Sequence, residues 1–299
     1  MSLLVVGSIA FDSIKTPYGS VESALGGSAT YFSLAASLLT DVRLMGVVGE
    51  DFPDEHLRMF EAHNIDTRGL EVTAGKTFRW TGAYEGDMNE AETLAVELNV
   101  FADFDPRIPD EYVDSRFVFL ANGSPSVQRT VLEQVASAEL VVCDTMNYWI
   151  ETANAELRSL LSEVDGIVLN DQEARMLTGR DVLVEAGSDI MDMGPEFVVI
   201  KKGEHGAMLC ARDVCVPVPG YPTRLVKDPT GAGDSFAGGM MGAIARDEDL
   251  SLRGLKRALA YGTVTASMTV EGFGTSVLEG ARREGLEGRL EEFREMLAL

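Results

Sequence analysis

Short apolar runs alternate along the chain with segments in which apolar residues recur every three or four positions. The short runs predict strands, and the 3.6-residue period predicts helices with one buried face. The predicted strands are 3–6, 42–48, 117–120, 140–143, 166–169 and 197–201, and the predicted helices are 30–39, 126–137, 153–162, 172–177, 234–245 and 255–269. Strands this apolar are buried on both faces, and intervening helices favour parallel pairing. The pattern therefore predicts a three-layer α/β/α fold with a mainly parallel central sheet.

One region, from about residue 70 to residue 104, interrupts this alternation. Residues 77–84 mix polar and apolar positions as a half-exposed strand does, and 93–98 predicts a second strand after a turn-prone stretch. We expect this segment to be a small antiparallel insertion that forms, together with residues 12–25, a small β lid on a single domain spanning 1–299. A lid of this kind closes over a ligand or forms the contact of a homodimer.

The charge of the chain excludes two classes of partner. There are 48 acidic and 25 basic residues, which gives a formal net charge of −23. Nucleic acids and anionic membranes attract basic surfaces, so we expect neither as a partner. The apolar run 3–10 is too short to span a bilayer and is predicted to be the first buried strand.

The cysteines and histidines limit the possible chemistry. The three cysteines, Cys143, Cys210 and Cys215, are an odd number, which argues against a disulfide framework and favours a cytoplasmic location. Cys210 and Cys215 are spaced too widely for a Cys-x-x-Cys redox pair, so all three are expected to be structural. Three histidines are poor material for a multi-His metal centre or a Ser-His-Asp site.

The most informative segment is the glycine-rich stretch Asp228 to Gly239, which leads into a predicted helix. Unpaired N–H groups at a helix N-terminus bind anions, and glycines allow close approach, so phosphate is the expected occupant. A Walker A loop is excluded because Asp234, not Lys, follows Gly233, and a dinucleotide fingerprint lacks its third glycine at Phe236. From the residues alone, Asp234 either caps the helix or accepts a proton beside the phosphate.

The segment Asp228 to Gly239 resembles the signature of the ribokinase family of sugar and nucleoside kinases, which includes bacterial minor phosphofructokinases. Supporting similarities extend over the whole chain: 7–12, the diglycine Gly26-Gly27, 46–51 and 170–173 resemble further motifs of that family. The resemblance implies a ribokinase-like fold and ATP-dependent transfer of the γ-phosphoryl group to a hydroxyl. It implies that Asp234 is the catalytic base and that the N–H groups of Gly231, Ala232 and Gly233 form the anion hole.

The resemblance also implies a nucleotide and metal side. Asn170 and Glu173 would lie near Mg²⁺, with Glu173 acting through water, although Asp171 and Glu173 also suit the first turn of a helix as acids. The expected ATP-binding residues are Asn170, Lys201, Gly203, Gly206, Ala266 and Val270, and the candidate K⁺ ligands are Asp228 and Ser276. A solvated strand end at Lys201 and tight helix packing near Ala266 are the structural alternatives.

On the acceptor side the resemblance implies Asp12, Gly26, Gly27 and Tyr31 as substrate-binding residues. Tyr31 stands where many relatives have Asn, and no basic residue follows Asp144, as it does in many relatives. Asp12 suits vicinal hydroxyls, which a free sugar and the ribose of a nucleoside both carry. A sugar kinase and a nucleoside kinase therefore both remain open, and a non-catalytic nucleotide sensor is a more distant alternative.

Overall fold

The computed structural model describes residues 2–86, 88–89, 91–135, 137–212 and 214–298. The strands are β1 Ser2–Val6, β2 Ala10–Thr16, β3 Gly19–Gly26, β4 Asp41–Gly49, β5 Ile65–Thr73, β6 Phe78–Tyr84, β7 Ala91–Glu97, β8 Phe117–Leu120, β9 Leu140–Asp144, β10 Gly166–Asn170, β11 Phe197–Lys201, β12 Ala207–Ala211 and β13 Val214–Val218. The helices are α1 Ser28–Ser37, α2 Asp54–Ala62, α3 Pro125–Leu132, α4 Asn147–Thr152, α5 Asn154–Leu161, α6 Asp171–Thr178, α7 Leu183–Met191, α8 Ala232–Asp247, α9 Leu252–Thr269, α10 Ser276–Gly280 and α11 Arg283–Leu297.

Within the described residues, nine strands form the main sheet, in the order β13-β12-β11-β10-β9-β8-β1-β4-β5. The pairs from β11 across to β5 are parallel, and β12 and β13 add an antiparallel hairpin at one edge. Alternate residues of each strand enter two separate cores: Leu3 and Val5 pack with α1, α8 and α9, whereas Leu4 and Val6 pack with α5 and α7. The predicted three-layer fold is confirmed, because both sheet faces are buried.

A second sheet stands apart, in the order β3-β2-β6-β7. It uses residues 78–84 and 91–97 of the predicted lid segment 70–104, whereas residues 70–73 complete β5 of the main sheet. The antiparallel pairing predicted within 70–104 is confirmed for β6 and β7, whereas β2 and β6, which join the two lid segments, pair in parallel. They belong to two separate excursions from the main sheet, and residue pattern alone does not show how such excursions pair.

The cysteine prediction is also corrected. Cys210 in β12 and Cys215 in β13 are directly opposed across the antiparallel hairpin, with 4.2 Å between their Cα atoms, and form a disulfide. Spacing along the sequence did not reveal this pair because a hairpin brings the two residues together in space. Cys143 is free and buried.

No helix in the described part of the chain combines the length and apolar character needed to cross a membrane.

Candidate active site

The glycine-rich loop ends at the N-terminus of α8, as the sequence predicts. Gly231 immediately precedes the helix and has a φ of 71°, in the left-handed region that favours glycine. A Cβ atom at this position would overlap the ring of Tyr31, which packs against the loop. The N–H of Ala232 donates to the carbonyl of Pro229 at 3.1 Å and closes the turn. The loop thus leads directly into a helix N-terminus, where first-turn N–H groups lack intrahelical partners and bind anions.

Asp234 lies in the first turn of α8 and is half-buried. The interpretation of Asp234 as the cap is wrong, because Gly231 occupies the cap position. Burial raises the pKa of the Asp234 carboxyl to about 7; the charge of Asp144 acts in the same direction, and that of Lys201 opposes it. A carboxyl with this pKa exchanges a proton readily near neutral pH, which suits a general base.

Lys201 brings a positive charge to this helix terminus. Its Nζ lies 3.7 Å from Oδ2 of Asp144, and their side chains are 17% and 6% exposed. An ideal Cβ on Gly233 would lie 3.0 Å from the same Nζ. Burial lowers the pKa of Lys201, but the negative charges of Asp144, Glu173 and Asp234 outweigh it, and the pKa is raised. The side chain is therefore a cation beside the loop and not a solvated strand end.

Asn170 and Glu173 cap helix α6 through a reciprocal pair of hydrogen bonds. Asn170 Oδ1 accepts from the N–H of Glu173 at 2.8 Å, and Glu173 Oε2 accepts from the N–H of Asn170 at 2.6 Å. Burial raises the pKa of Glu173 to about 7, which Lys201 opposes and Asp144 reinforces. The structural alternative from the sequence is thus correct, and the cap also holds a carboxyl beside Lys201.

The predicted substrate-binding residues lie near the glycine-rich loop. The carboxyl of Asp12 packs on Gly26, where a Cβ atom would overlap Oδ2, and it accepts a hydrogen bond from the N–H of Gly27. Burial raises the pKa of Asp12 to about 7, the Gly27 hydrogen bond opposes this rise, and the charges of Asp234 and Asp228 add to it. Asp12 therefore lies close enough to Asp234 for the charge of Asp234 to affect its pKa.

Tyr31 packs beneath the glycine-rich loop, where its ring contacts Gly231. It is 1% exposed, and its hydroxyl has no hydrogen-bond partner among the described residues. Burial and the charges of Asp12 and Asp228 raise its pKa well above the usual value. Tyr84, from the lid strand β6, accepts a hydrogen bond from the hydroxyl of Thr230 at 3.2 Å, so the lid contacts the glycine-rich loop directly.

The candidate K⁺ ligands have other partners. Asp228 is buried, and its two carboxylate oxygens accept from the N–H groups of Thr230 and Gly274, each at 2.9 Å. Ser276 is exposed, and its hydroxyl donates to the carbonyl of Phe273 at 2.7 Å. Asp228 therefore joins the glycine-rich loop to the segment after α9.

Four of the expected nucleotide-binding residues lie in the turn after β11 and at the end of α9. Gly203 and Gly206 have φ values of 53° and 83° in the turn after β11. The carbonyl of Val270 accepts from the N–H groups of Lys227 and Asp228, which places the end of α9 beside the start of the loop. Ala266 lies one turn earlier in α9 and is half-buried.

Sequence reasoning assigned no role to Asp51, which fastens the lid. One of its oxygens accepts from both the N–H and the hydroxyl of Thr77 at 2.7 Å, and the other accepts from Arg79 at 2.9 Å. Arg79 also lies over the ring of Phe11 in β2, with 5.1 Å between its guanidinium carbon and the ring centroid. Asp51 thus anchors β6 at its start, and its place in the motif 46–51 was the available signal.

Comparisons with known proteins identify the family and the fold of the chain. Residues 2–279 match the family model described as pfkB family carbohydrate kinase. A cytidine kinase from Thermococcus kodakarensis is 29% identical over 267 residues, which are 86% of this chain and 95% of that protein. A Burkholderia thailandensis nucleoside kinase in complex with ADP-inosine superposes with a TM-score of 0.80 at 21% identity, over 97% of this chain and 95% of that one. An Escherichia coli structure described as ribokinase II in complex with ATP and Mg²⁺ superposes with a TM-score of 0.81 at 18% identity. The match covers 97% of this chain and 99% of that one.

Proposed function

Since the chain belongs to the pfkB family of carbohydrate kinases, we propose that its acceptor is a nucleoside, with a free sugar as the second candidate. The chain is a phosphotransferase that acts on a hydroxyl group, and ATP is the donor expected of this family. The observation that carries the proposal is the grouping of Asp12, Tyr31 and Asp234 at the glycine-rich loop. The charge of Asp234 raises the pKa of Asp12, the Tyr31 ring packs against Gly231, and Tyr84 of the lid accepts a hydrogen bond from Thr230. One acid binds a vicinal diol there, while the other faces the hydroxyl that reacts.

Asp234 accepts the proton of the attacking hydroxyl in this proposal. The N–H groups of Gly231 and Gly233 hold the negative charge of the transferring phosphoryl group, aided by the helix N-terminus of α8. The N–H of Ala232, which the resemblance also assigns to the anion hole, donates to the carbonyl of Pro229 instead. Alignment and charge stabilisation supply most of the catalysis in phosphoryl transfer, so a rigid helix start that carries both donors and base is well suited to it. Closure of the lid through Tyr84 and Thr230 excludes water from the pocket.

Mg²⁺ fits the residues on the phosphate side. No group of three or more His, Cys, Asp and Glu side chains arranged to hold a metal exists among the described residues, so the nucleotide phosphates and water would supply most ligands. Glu173 offers a buried carboxylate for such a hydrated ion, oriented by the capping box with Asn170. When bound, Mg²⁺ neutralises charge on the phosphates. We propose ATP contacts for Asn170, Lys201, Gly203, Gly206, Ala266 and Val270.

A nucleoside is favoured over a free sugar by two kinds of evidence. The cytidine kinase is 29% identical over 86% of this chain. Tyr31 stands at the position where many relatives carry Asn, and its ring limits the space beneath the acceptor. We also propose a cytoplasmic reaction activated by K⁺, with Asp228 and Ser276 near the ion.

The test is a product assay with Mg-ATP in K⁺ buffer, with cytidine, inosine, adenosine, ribose and fructose as acceptors. We expect a nucleoside to give the highest kcat/KM and a 5′-monophosphate as product, and we expect Na⁺ in place of K⁺ to lower turnover. Turnover confined to free sugars would transfer the assignment to the second candidate. ATP binding without phosphorylation of any sugar or nucleoside would contradict the proposal and favour a nucleotide sensor.

We propose that the exposed outer edge of the lid binds a second copy of the chain. All seven residues of β7 are exposed, and Leu94 and Val96, on one face of this edge strand, are 55% and 52% exposed. An unpaired edge with an apolar face pairs readily with another chain. We expect a dimer by light scattering and a monomer for Leu94→Asp, with Leu250→Asp, far along the chain in an exposed loop, as the matched control. A monomeric wild-type chain at micromolar concentration would refute this contact.

A further inference from the structure

An ion pair crosses the carboxyl ends of three neighbouring strands at the candidate site. Lys201 is the last residue of β11, Asp144 is the last residue of β9, and β10 lies between them. Lys201 pairs in register with Asn170 of β10, so its side chain reaches over the end of β10 to Oδ2 of Asp144, 3.7 Å away. The cation that does not follow Asp144 in the sequence is therefore supplied by a different strand.

The ammonium group faces the loop that precedes Asp234. The nearest atom to an ideal Cβ on Gly233 is Nζ of Lys201, at 3.0 Å. Gly233 belongs to the proposed anion hole, whereas Gly203 and Gly206, in the turn after β11, follow Lys201 in the chain. The ammonium group therefore lies beside the loop to which the proposed function assigns phosphate transfer.

Stability does not explain this arrangement well. Withdrawing two charges from water costs several kcal/mol per ion, and a buried pair often only breaks even against apolar replacements. Asp144 is only 6% exposed, and one of its oxygens also accepts from the N–H of Thr145 at 2.8 Å, which fixes the carboxylate in place. The backbone carbonyl of Asp144 accepts in turn from the buried Gln128 at 2.9 Å. Several contacts thus hold Asp144 in the orientation that meets Lys201.

We propose that Lys201 contacts the transferring phosphoryl group at the Gly231–Gly233 loop, and that Asp144 is the positioning residue that holds it there. This inference rests on the proposed function. With Asp144 as its anchor, the ammonium group reaches the γ-phosphate side of the loop and compensates the charge that the phosphoryl group brings beside Asp234. The group is a point charge, which suits a phosphoryl oxygen.

The test compares Lys201→Met, Lys201→Arg and Asp144→Asn with Lys256→Met, an exposed lysine of α9, as the control. Calorimetry with Mg-ADP and with a non-hydrolysable Mg-ATP analogue needs no acceptor, so it remains informative even if the acceptor assignment is wrong. We expect Lys201→Met to bind the ATP analogue at least ~10-fold more weakly and ADP within ~3-fold of wild type, since ADP lacks the γ-phosphate. We expect kcat to fall ~10²-fold, as for a lost charge-stabilising donor, and the Lys256 control to match wild type.

Asp144→Asn separates positioning from folding, because it preserves the shape of the side chain and retains the lysine at position 201, but removes the negative charge that holds the ammonium group. We expect a smaller loss, ~10-fold in kcat, with the KM for the acceptor unchanged. We also expect weaker binding of the ATP analogue, with the affinity for ADP retained. Lys201→Arg retains the charge and is expected to retain more turnover than Lys201→Met. Equal losses of ADP and ATP-analogue affinity in Lys201→Met would overturn the inference, as would wild-type kcat in that variant. A wild-type chain without turnover would instead refute the proposed function.

Discussion

Asp234→Asn is expected to lower kcat by at least ~10²-fold, because the variant removes the only proposed acceptor for the proton of the attacking hydroxyl. Asn has nearly the same shape, so the start of α8 and the Gly231–Gly233 loop should be preserved. The loss should therefore appear in kcat, with the KM for ATP within a few-fold of wild type. Steady-state assays of ADP release with the best acceptor measure both quantities.

The same variant should make the ligand-free chain more stable above neutral pH. Burial raises the pKa of Asp234 to about 7 in the folded chain, so the folded state binds this proton more tightly than the unfolded state does. The stability that this proton contributes is fully present below the unfolded pKa, near 4, and is lost as pH rises through about 7. At pH 8, Asn avoids the cost of the buried charge, and we expect the free energy of unfolding to rise by about 2 kcal/mol.

Urea unfolding at pH 8 and pH 5 tests whether Asp234→Asn raises the free energy of unfolding. The gain should be large at pH 8 and smaller at pH 5, where the wild-type carboxyl is protonated in the folded chain. Glu279→Gln, in the short helix α10, is a matched carboxyl-to-amide control outside the pocket. An Asp234→Asn chain with unchanged turnover would remove Asp234 from the role of base, whatever its stability.

The sequence was sufficient to predict six of the nine strands described in the central sheet, all except β5, β12 and β13 toward its edges, for a physical reason. Strands such as Leu140–Asp144 and Phe197–Lys201 are buried on both faces, so nearly every position is apolar and the signal is strong. The glycine-rich loop was equally easy to recognise in the sequence. Its backbone conformation and its contact with Tyr31 exclude a side chain at Gly231, so the position requires glycine. Both signals depend only on residues that are consecutive in the sequence.

The remaining features depend on contacts between distant segments. The lid strands are half-exposed, so their pattern did not reveal that β2 pairs in parallel with β6. The Lys201–Asp144 ion pair and the Asp51–Thr77 anchor join residues from different elements, and each residue alone suits an ordinary surface or strand end. The Tyr84–Thr230 contact likewise required the lid to be placed over the loop.

Gly231→Ala should damage both the fold and the reaction. An alanine at a φ of 71° costs about 1–2 kcal/mol, and its Cβ would overlap the Tyr31 ring, which adds an overpacking cost of about 1–3 kcal/mol. Relief of this overlap requires either the loop or Tyr31 to move. A displacement of about 1 Å at a reacting centre lowers turnover ~10²-fold, so we expect a comparable loss of kcat in the molecules that remain folded.

Gly288→Ala is the matched control for this prediction. Gly288 lies within α11, and a Cβ at this position meets no atom within 4 Å. The same chemical change should therefore raise the free energy of unfolding by about 0.5–1 kcal/mol, because alanine favours the helix, and leave kcat unchanged. Urea unfolding and steady-state kinetics of both variants give the comparison. If Gly231→Ala kept wild-type kcat, the loop would not need the geometry observed here, and the assignment of Gly231 to the anion hole would fail.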